Sequence, residues 1–176
     1  MTVNDSANLT QADEEWIRHA MSLAERAEAE GEVPVGAVIV HDGKAIGEGW
    51  NRTITLSDPA AHAEMIALRE AGRFMANYRL PGCTLYVTLE PCCMCAGAII
   101  HARLDRVVYG AQDPKTGAAG GRFQVLCDPR HNHNPVVTSG CLADDCGLQL
   151  RRFFRRRREQ QAADKTEAKK TTGDQS

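Results

Sequence analysis

Three cysteines fall within four positions in TLEPCCMCAGAII (residues 88–100), where a β-rich run gives way to a helical pattern. Cys92 and Cys95 are spaced i, i+3, so in a first helical turn both sulfurs project from one face. A helix N-terminus favours thiolates, which are the form that binds metal ions. Cys93 is rotated by roughly 100° and is expected to pack beside the pair. Taken alone, the pair fits a metal site, a redox pair or two buried thiols.

A second pair of chemically capable residues lies upstream, in DPAAHAEMIAL (residues 58–68). His62 and Glu64 are expected in the first turn of a helix, where a lone histidine is more often a capping residue and a glutamate simply suits the helix dipole. Together, H-x-E and P-C-x-x-C, each opening a helix, are far more specific. One imidazole and two thiolates leave a tetrahedral zinc ion with one open position, which marks a catalytic site. Glu64 could then carry protons without binding the metal.

The helices that must position these residues have recognisable starts. Thr10 and Asp13 predict a capping box for a first amphipathic helix. Asp58 followed by Pro59 predicts the start of a second helix, running to about Phe74. The PCCMC stretch opens a third helix of the same kind.

Strands are predicted from β-rich runs: VPVGAVIV and KAIGEGW around an Asp42-Gly43 hairpin turn, then CTLYVTL, RVVYGA and a short NPVVTSG. A last helix is expected from near Leu142 to Gln161. This order of elements predicts an α/β fold with a mixed sheet and helices on both faces. Residues 1–161 are expected to form a single domain, and residues 162–176 a disordered charged tail.

Composition sets the broad class of protein. The chain has 176 residues, 43% of them hydrophobic and 25% charged, with no apolar run long enough to span a membrane. Its polar and acidic N-terminal stretch is not expected to act as a signal peptide. Seven cysteines without a secretion signal argue against a disulfide framework, so the cytoplasm is the expected compartment. Residues 151–176 carry nine bases against four acids, so the net charge of −2 does not argue against a polyanionic partner.

Longer stretches extend the match beyond the metal motif, among them EVPVGAVIV, AHAE, LYVTLEPCCMCAGAIIHAR and RVVYGAQDPKTGAAG. Over about residues 11–158 the chain closely resembles the bacterial tRNA-specific adenosine deaminases, which belong to the zinc nucleobase deaminases. The resemblance implies a cytidine-deaminase-like three-layer α/β/α sandwich with a five-stranded sheet. It also implies a homodimer with one Zn²⁺ per subunit, and conversion of the wobble adenosine of an arginine tRNA anticodon to inosine.

The resemblance also implies residue roles. His62, Cys92 and Cys95 would hold the zinc ion, and activated water would attack carbon 6 of adenine. Glu64 would protonate the ring and later the departing amine. The residues implied to contact the target nucleotide in the pocket are Asn51, Ala63 and Pro91. Those implied to contact the rest of the RNA are Arg52, Asp113, Lys115 and Phe153.

Several of these contacts have plainer explanations. Asn51 could cap a turn at a strand end, and Asp113 and Lys115 could cap a loop. The stretch LRRFFRRRR offers arginines for phosphates and rings for bases, but a helix could equally bury one phenylalanine and leave the arginines solvated. His131 and His133 resemble a second metal site only superficially.

Two other functions remain open. A deaminase of a free base or nucleoside would share every zinc residue. A zinc-stabilised RNA-binding module, with Cys93 as a fourth ligand, would have no use for Glu64.

Overall fold

A computed structural model describes residues 9–173, with side chains to residue 165. It contains four helices and five strands in this part of the chain. In order they are α1 (Gln11–Ala29), β1 (Gly36–His41), β2 (Lys44–Trp50), α2 (Ala63–Met75), β3 (Cys83–Leu89), α3 (Cys93–Ala102), β4 (Arg106–Ala111), β5 (Val136–Thr138) and α4 (Ala143–Gly173).

The five strands form one mixed sheet in the order β2-β1-β3-β4-β5. Strand β1 pairs antiparallel with β2 and β3, whereas β3–β4 and β4–β5 are parallel. The predicted hairpin turn between β1 and β2 is confirmed, because Asp42 and Gly43 both have positive φ, 49° and 71°. Strands β2, β3 and β4 therefore run in the same direction, and the segments that follow β2 and β3 leave the sheet at one end.

Alternate residues of the central strands face two separate apolar clusters. Ile39, Leu85 and Val107 pack with α2 and α3 on one face of the sheet. Val38 and Val108 pack with α1 and α4 on the other. This alternation follows from the period of two in a β-strand, and it confirms the predicted three-layer α/β/α sandwich.

The predicted capping box of α1 is confirmed, and its acidic residue, Asp13, also bonds to side chains of the sheet. Thr10 Oγ1 accepts from the Asp13 N–H at 3.1 Å, and Asp13 Oδ2 accepts from the Thr10 N–H at 2.9 Å. Buried Asp13 also accepts from Tyr86 Oη at 2.9 Å and Arg106 Nη1 at 2.8 Å. Although burial raises the pKa of Asp13, bonds from Arg106, Thr10 and Tyr86 hold it below its ordinary value. This carboxylate thus ties α1 to the middle of the sheet.

The predicted start of α2 at Pro59 is wrong. The helix begins at Ala63, because Asp58 instead accepts a hydrogen bond from the Ala60 N–H at 2.8 Å within a turn. The N-cap position is His62, whose side chain makes no capping bond. Asn51, at the end of β2, accepts from the Ala63 N–H at 3.0 Å and does the capping from a distant part of the chain.

Helix α2 lies unusually close to β2 because glycines face it. A Cβ on Gly47 would be 2.3 Å from the Ala67 carbonyl oxygen, and one on Gly49 would be 2.2 Å from the Ala63 carbonyl oxygen. Bare backbone at both positions lets the helix rest on the strand. This contact fixes the N-terminal end of α2.

Helix α4 continues past the expected end at Gln161 to Gly173. Residues 162–173, expected to be a disordered tail, are helical; residues 174–176 and 1–8 lie outside the described residues. Alanine, lysine and glutamate have high intrinsic helix propensity, which can extend a helix without a packing partner. Among the described residues, none of the helices is both long and apolar enough to cross a membrane.

We expect Gly49→Ala to lower the free energy of unfolding by about 1–3 kcal/mol, because the new methyl group cannot fit without moving α2. The change is measured by urea denaturation. Gly97→Ala is the matched control, since a Cβ on Gly97 would meet no atom within 4 Å outside its own helix backbone and its chain neighbours. Equal stability of the two variants would contradict the close contact.

Candidate metal centre and active site

Two helix N-termini meet at the candidate site. His62 is the N-cap of α2 and Cys92 is the N-cap of α3, and neither side chain bonds to the N–H groups of its own helix. Buried Cys95 lies in the first turn of α3. These three side chains converge as the sequence predicted.

The distances between the three groups fit a zinc ion. His62 Nδ1 lies 3.6 Å from Cys92 Sγ and 3.6 Å from Cys95 Sγ, and all three ligand atoms lie within 4.8 Å of one another. Zinc bonds of about 2.0 Å to nitrogen and about 2.3 Å to sulfur at a tetrahedral angle place N and S about 3.5 Å apart. An imidazole and two sulfurs are therefore already spaced as zinc ligands.

Hydrogen bonds among the same three side chains shift their pKa values. The hydrogen bond from the Cys95 thiol lowers the pKa of Cys92 to about 4, and that bond together with burial raises the pKa of Cys95. The Cys92 sulfur in turn raises the pKa of His62. A divalent cation could replace these shared protons and let both sulfurs bind as thiolates.

Cys93 is not part of this arrangement. It is exposed on the first turn of α3, and the group of potential ligands found among the described residues consists of His62, Cys92 and Cys95. Three protein ligands leave a fourth tetrahedral position open, which is typical of catalytic and not of structural zinc sites. The alternative with Cys93 as a fourth ligand has no support in this geometry.

Glu64 is the second residue of α2 and is only 4% exposed. Burial raises the pKa of its carboxyl group to about 7, against the opposing effects of a backbone hydrogen bond and the nearby His62. A carboxyl group with such a pKa can both accept and donate a proton near neutrality. Its place two residues after His62 puts it beside the candidate metal site.

Some hydrogen-bonding groups of the residues expected to line the pocket already have partners within the protein. The Ala63 N–H donates to Asn51 Oδ1, and the Pro91 carbonyl accepts from the Ala118 N–H at 2.8 Å. Asn51 thus caps the start of α2, and not a turn as its plainer explanation expected. That bond uses Oδ1, and the Nδ2 hydrogens are the donors that the side chain can offer a nucleotide.

Arg52 is held by neighbouring side chains. Its Nε donates to Glu30 at 3.0 Å, and its guanidinium lies 5.6 Å from the centroid of the Trp50 ring. Arg26 stacks on the same ring at 5.3 Å, and Trp50 Nε1 also donates to Glu30. These contacts fix the direction in which Arg52 leaves the strand end next to Asn51.

Asp113 and Lys115 lie on the loop after β4. Asp113 accepts from the N–H groups of Lys115 and Thr116, at 2.8 and 3.1 Å, and from Thr116 Oγ1. Asp113 therefore caps its own loop, and hydrogen bonds from Thr116 and Lys115 lower its pKa despite the opposing effect of burial. Lys115 is exposed.

The two adjacent phenylalanines of α4 have different surroundings. Phe153, the expected base-stacking residue, is 8% exposed and has little ring face to offer, whereas Phe154 is 42% exposed. Phe154 lines a cavity of about 550 Å³ with Lys115 and a row of α4 arginines, which are Arg151, Arg152, Arg155 and Arg158. The burial of one phenylalanine was the plainer alternative for this helix, so Phe154 takes the place of Phe153 as the candidate stacking ring.

His131 and His133 bond to the backbone of neighbouring segments. Each bonds a backbone carbonyl through Nε2, that of Val125 at 2.8 Å and that of Leu104 at 2.6 Å. These bonds hold the loop before β5 in place.

Two buried glutamates that hold loops next to the site residues in the chain were missed from the sequence. Glu32 accepts from the Thr55 N–H at 2.7 Å and Thr53 Oγ1 at 3.2 Å, which holds the loop between β2 and α2. Glu90, between β3 and Cys92, holds the loop after β4. In the sequence, the one indication of a buried group was the close spacing of glycines in the loop after β4.

Comparison with known proteins agrees with this geometry. Residues 10–111 match the family model described as the cytidine and deoxycytidylate deaminase zinc-binding region. The chain belongs to this family. It is therefore a zinc-dependent deaminase, a hydrolase, and zinc is the metal that the family model associates with its domain.

Relatives and solved structures place it more closely within the family. The tRNA-specific adenosine deaminase of Haemophilus influenzae is 55% identical over 157 residues, covering 89% of this chain and 91% of that protein. A structure from work on A-to-I editing by tRNA:A34 deaminases at the wobble position is 44% identical, with a TM-score of 0.75, covering 77% of this chain and 99% of the other. A guanine deaminase from Bacillus subtilis is 41% identical, with a TM-score of 0.56, covering 65% of this chain and 71% of the other.

We expect Cys92→Ser to lose zinc and Cys93→Ser to keep it, because only the first removes a converging sulfur. Zinc per chain is measured by elemental mass spectrometry after dialysis of each purified variant. The two positions are adjacent, so they form a matched pair. Loss of zinc from Cys93→Ser would show that the metal is held differently.

Proposed function

We propose that this protein deaminates adenosine to inosine at the wobble position of a tRNA anticodon, with an arginine tRNA as its expected substrate. The proposal depends on one observation: His62, Cys92, Cys95 and buried Glu64 converge as a catalytic zinc site in a chain 55% identical to a tRNA-specific adenosine deaminase.

In this proposal each residue has a defined task. His62 Nδ1 and the sulfurs of Cys92 and Cys95 would hold Zn²⁺, which supplies the Lewis acid that makes water nucleophilic near neutral pH. Glu64 would take a proton from the attacking water and deliver it to nitrogen 1 of adenine. It would then carry the second proton, from the hydroxyl group added at carbon 6, to the amine, which departs as ammonia and leaves inosine. Asn51 donates from Nδ2 to the target nucleotide.

The basic surface of α4 supports an RNA substrate. Lys115 and the arginines around Phe154 place several positive charges at one cavity, which suits phosphate groups, and the exposed ring suits a base turned out of a loop. Not every arginine is available, because Arg156 pairs with Glu28 of α1 and Arg157 lies over the Phe153 ring. Single-stranded loops are where proteins read RNA sequence, so the anticodon loop is the natural partner.

We further infer a homodimer. A groove of about 340 Å³ between α2 and α3 is lined by apolar side chains that include Met65, Leu68 and Tyr78, and Phe74 nearby on α2 is largely exposed. A second copy of the chain would cover this face. Because tRNA is a cytoplasmic molecule in bacteria, the proposal places the enzyme in that compartment.

Deamination of a free base is the second candidate, and the similarity to the guanine deaminase fold favours it. The same metal ligands and Glu64 would serve that reaction. The two candidate functions differ in one respect: an RNA substrate would bind in the cationic cavity around Phe154, whereas a free base would not need it.

We expect Glu64→Gln to retain zinc and to lose deaminase activity by roughly 10²–10⁴-fold, because an amide cannot accept and return the proton. Activity is measured as inosine formed, alongside zinc per chain. Glu70→Gln, an exposed position on the same helix, is the control and should behave as wild type. Full activity of Glu64→Gln would disprove the proposed mechanism.

We expect the protein to form inosine in an anticodon stem-loop and to leave free adenosine and guanine essentially unchanged, because only the RNA can use the basic surface of α4. Products are quantified by mass spectrometry, with a zinc chelator as the negative control. Turnover of a free base or nucleoside without turnover of RNA would favour the second candidate.

A further inference from the structure

Glu90 occupies an unusual place beside the metal-binding segment. It follows the end of β3, is 2% exposed, and lies two residues before Cys92. Its own N–H donates to the Ala111 carbonyl at 2.9 Å. The catalytic scheme above gives this buried carboxyl group no part in proton transfer or metal binding.

Three backbone N–H groups of the loop after β4 donate to the Glu90 carboxylate. Asp113 donates to Oε2 at 3.0 Å, and Ala119 and Gly121 donate to Oε1 at 2.9 and 2.8 Å. A carboxylate buried away from water is costly unless such donors surround it, and its bonds to N–H groups are stronger than those of a neutral acceptor. The loop is therefore wrapped around one side chain.

The loop sequence is adapted to this wrapping. A Cβ on Gly117 would lie 2.3 Å from Glu90 Oε2, and a Cβ on Gly121 would lie 2.2 Å from the same atom. The loop also bonds the segment that carries Cys92, through a bridge between Cys92 and Gly117. Glu90 thus joins the loop to the metal-binding turn.

The loop presents the groups that face RNA in the proposed function. It begins at Asp113, whose N–H is bound by Glu90, and two residues later it presents Lys115 to the cationic cavity of α4. The position of Lys115 relative to the metal site is therefore set through Glu90.

We propose that Glu90 is a positioning residue, which fixes the loop of residues 113–121 against the metal-binding turn and so determines recognition of RNA outside the pocket and not the deamination step. This inference rests on the proposed RNA substrate. Glu90 acts through the loop backbone and touches neither the base nor the metal.

The first test compares the zinc-loaded wild-type protein with Glu90→Gln, using KM and kcat on an anticodon stem-loop together with zinc per chain. Glutamine keeps an acceptor for Ala119 and Gly121 but turns an NH₂ group towards the Asp113 N–H, so the Lys115 end of the loop is released. We expect KM to rise about tenfold or more, because a buried donor loses its partner. We expect kcat to change by less than about threefold and zinc to stay bound.

The second test approaches the same contact from the loop. Gly121→Ala places a methyl group against Glu90 Oε2 and leaves the segment from Glu90 to Cys92 unchanged, so it should reproduce the rise in KM. Gly97→Ala is the control for the added methyl group and should leave KM unchanged. Far-UV circular dichroism confirms that each variant is folded, and Gly121→Ala serves if Glu90→Gln does not fold.

Each outcome decides between the alternatives. An unchanged KM in the folded variants, or a loss of zinc or of kcat alone in Glu90→Gln, would show that Glu90 supports the metal ligands or the fold and would overturn the inference. A wild-type protein that does not deaminate the stem-loop would instead overturn the proposed function. A wild-type protein that does, with variants of unaltered KM, counts against the role of Glu90 alone.

Discussion

The active site depends on two helices that begin against each other without capping themselves. The N-cap positions of α2 and α3 are His62 and Cys92, and both side chains turn towards a shared point in place of their own helix N–H groups. A missing N-cap bond costs about 1 kcal/mol. For α2 this cost is offset from outside, because Asn51 at the end of β2 accepts from the first N–H. The strand order brings that strand end to the same end of the sheet as β3, which leads into Cys92.

The paired N-termini also set the electrostatics of the site. Both helix dipoles direct their positive ends at the point where the thiolates and the water must carry negative charge. Glu64 lies in the same first turn but is buried, and burial opposes the charge that the dipole favours. The three buried glutamates Glu32, Glu64 and Glu90 therefore have different surroundings. Glu32 and Glu90 accept hydrogen bonds from loop N–H groups and hold those loops, whereas burial raises the pKa of Glu64 to about 7.

Much of this arrangement could be predicted from local sequence. The bounds of β2, β3 and β4 agree with the predicted runs, since each run is short and lies between turn or loop residues. The spacing of Cys92 and Cys95 predicted which sulfurs converge, because helical geometry leaves Cys93 on another face. The start of α2 could not be read in this way, because a residue of β2 supplies its cap. The roles of Glu32 and Glu90 depend on loops that fold back over them, and Phe153 and Phe154 differ only in which side of one helix meets the core.

The glycines of β2 have a consequence for how such proteins diversify. With Gly47 and Gly49 against the alanine backbone of α2, the helix has no room to slide or rotate on the sheet. His62 and Glu64, at the start of α2, are consequently held in a fixed position against the end of β2. Evolution of a new substrate on this scaffold must then proceed by rebuilding the surrounding loops and the terminal helix, while the reactive centre is inherited intact.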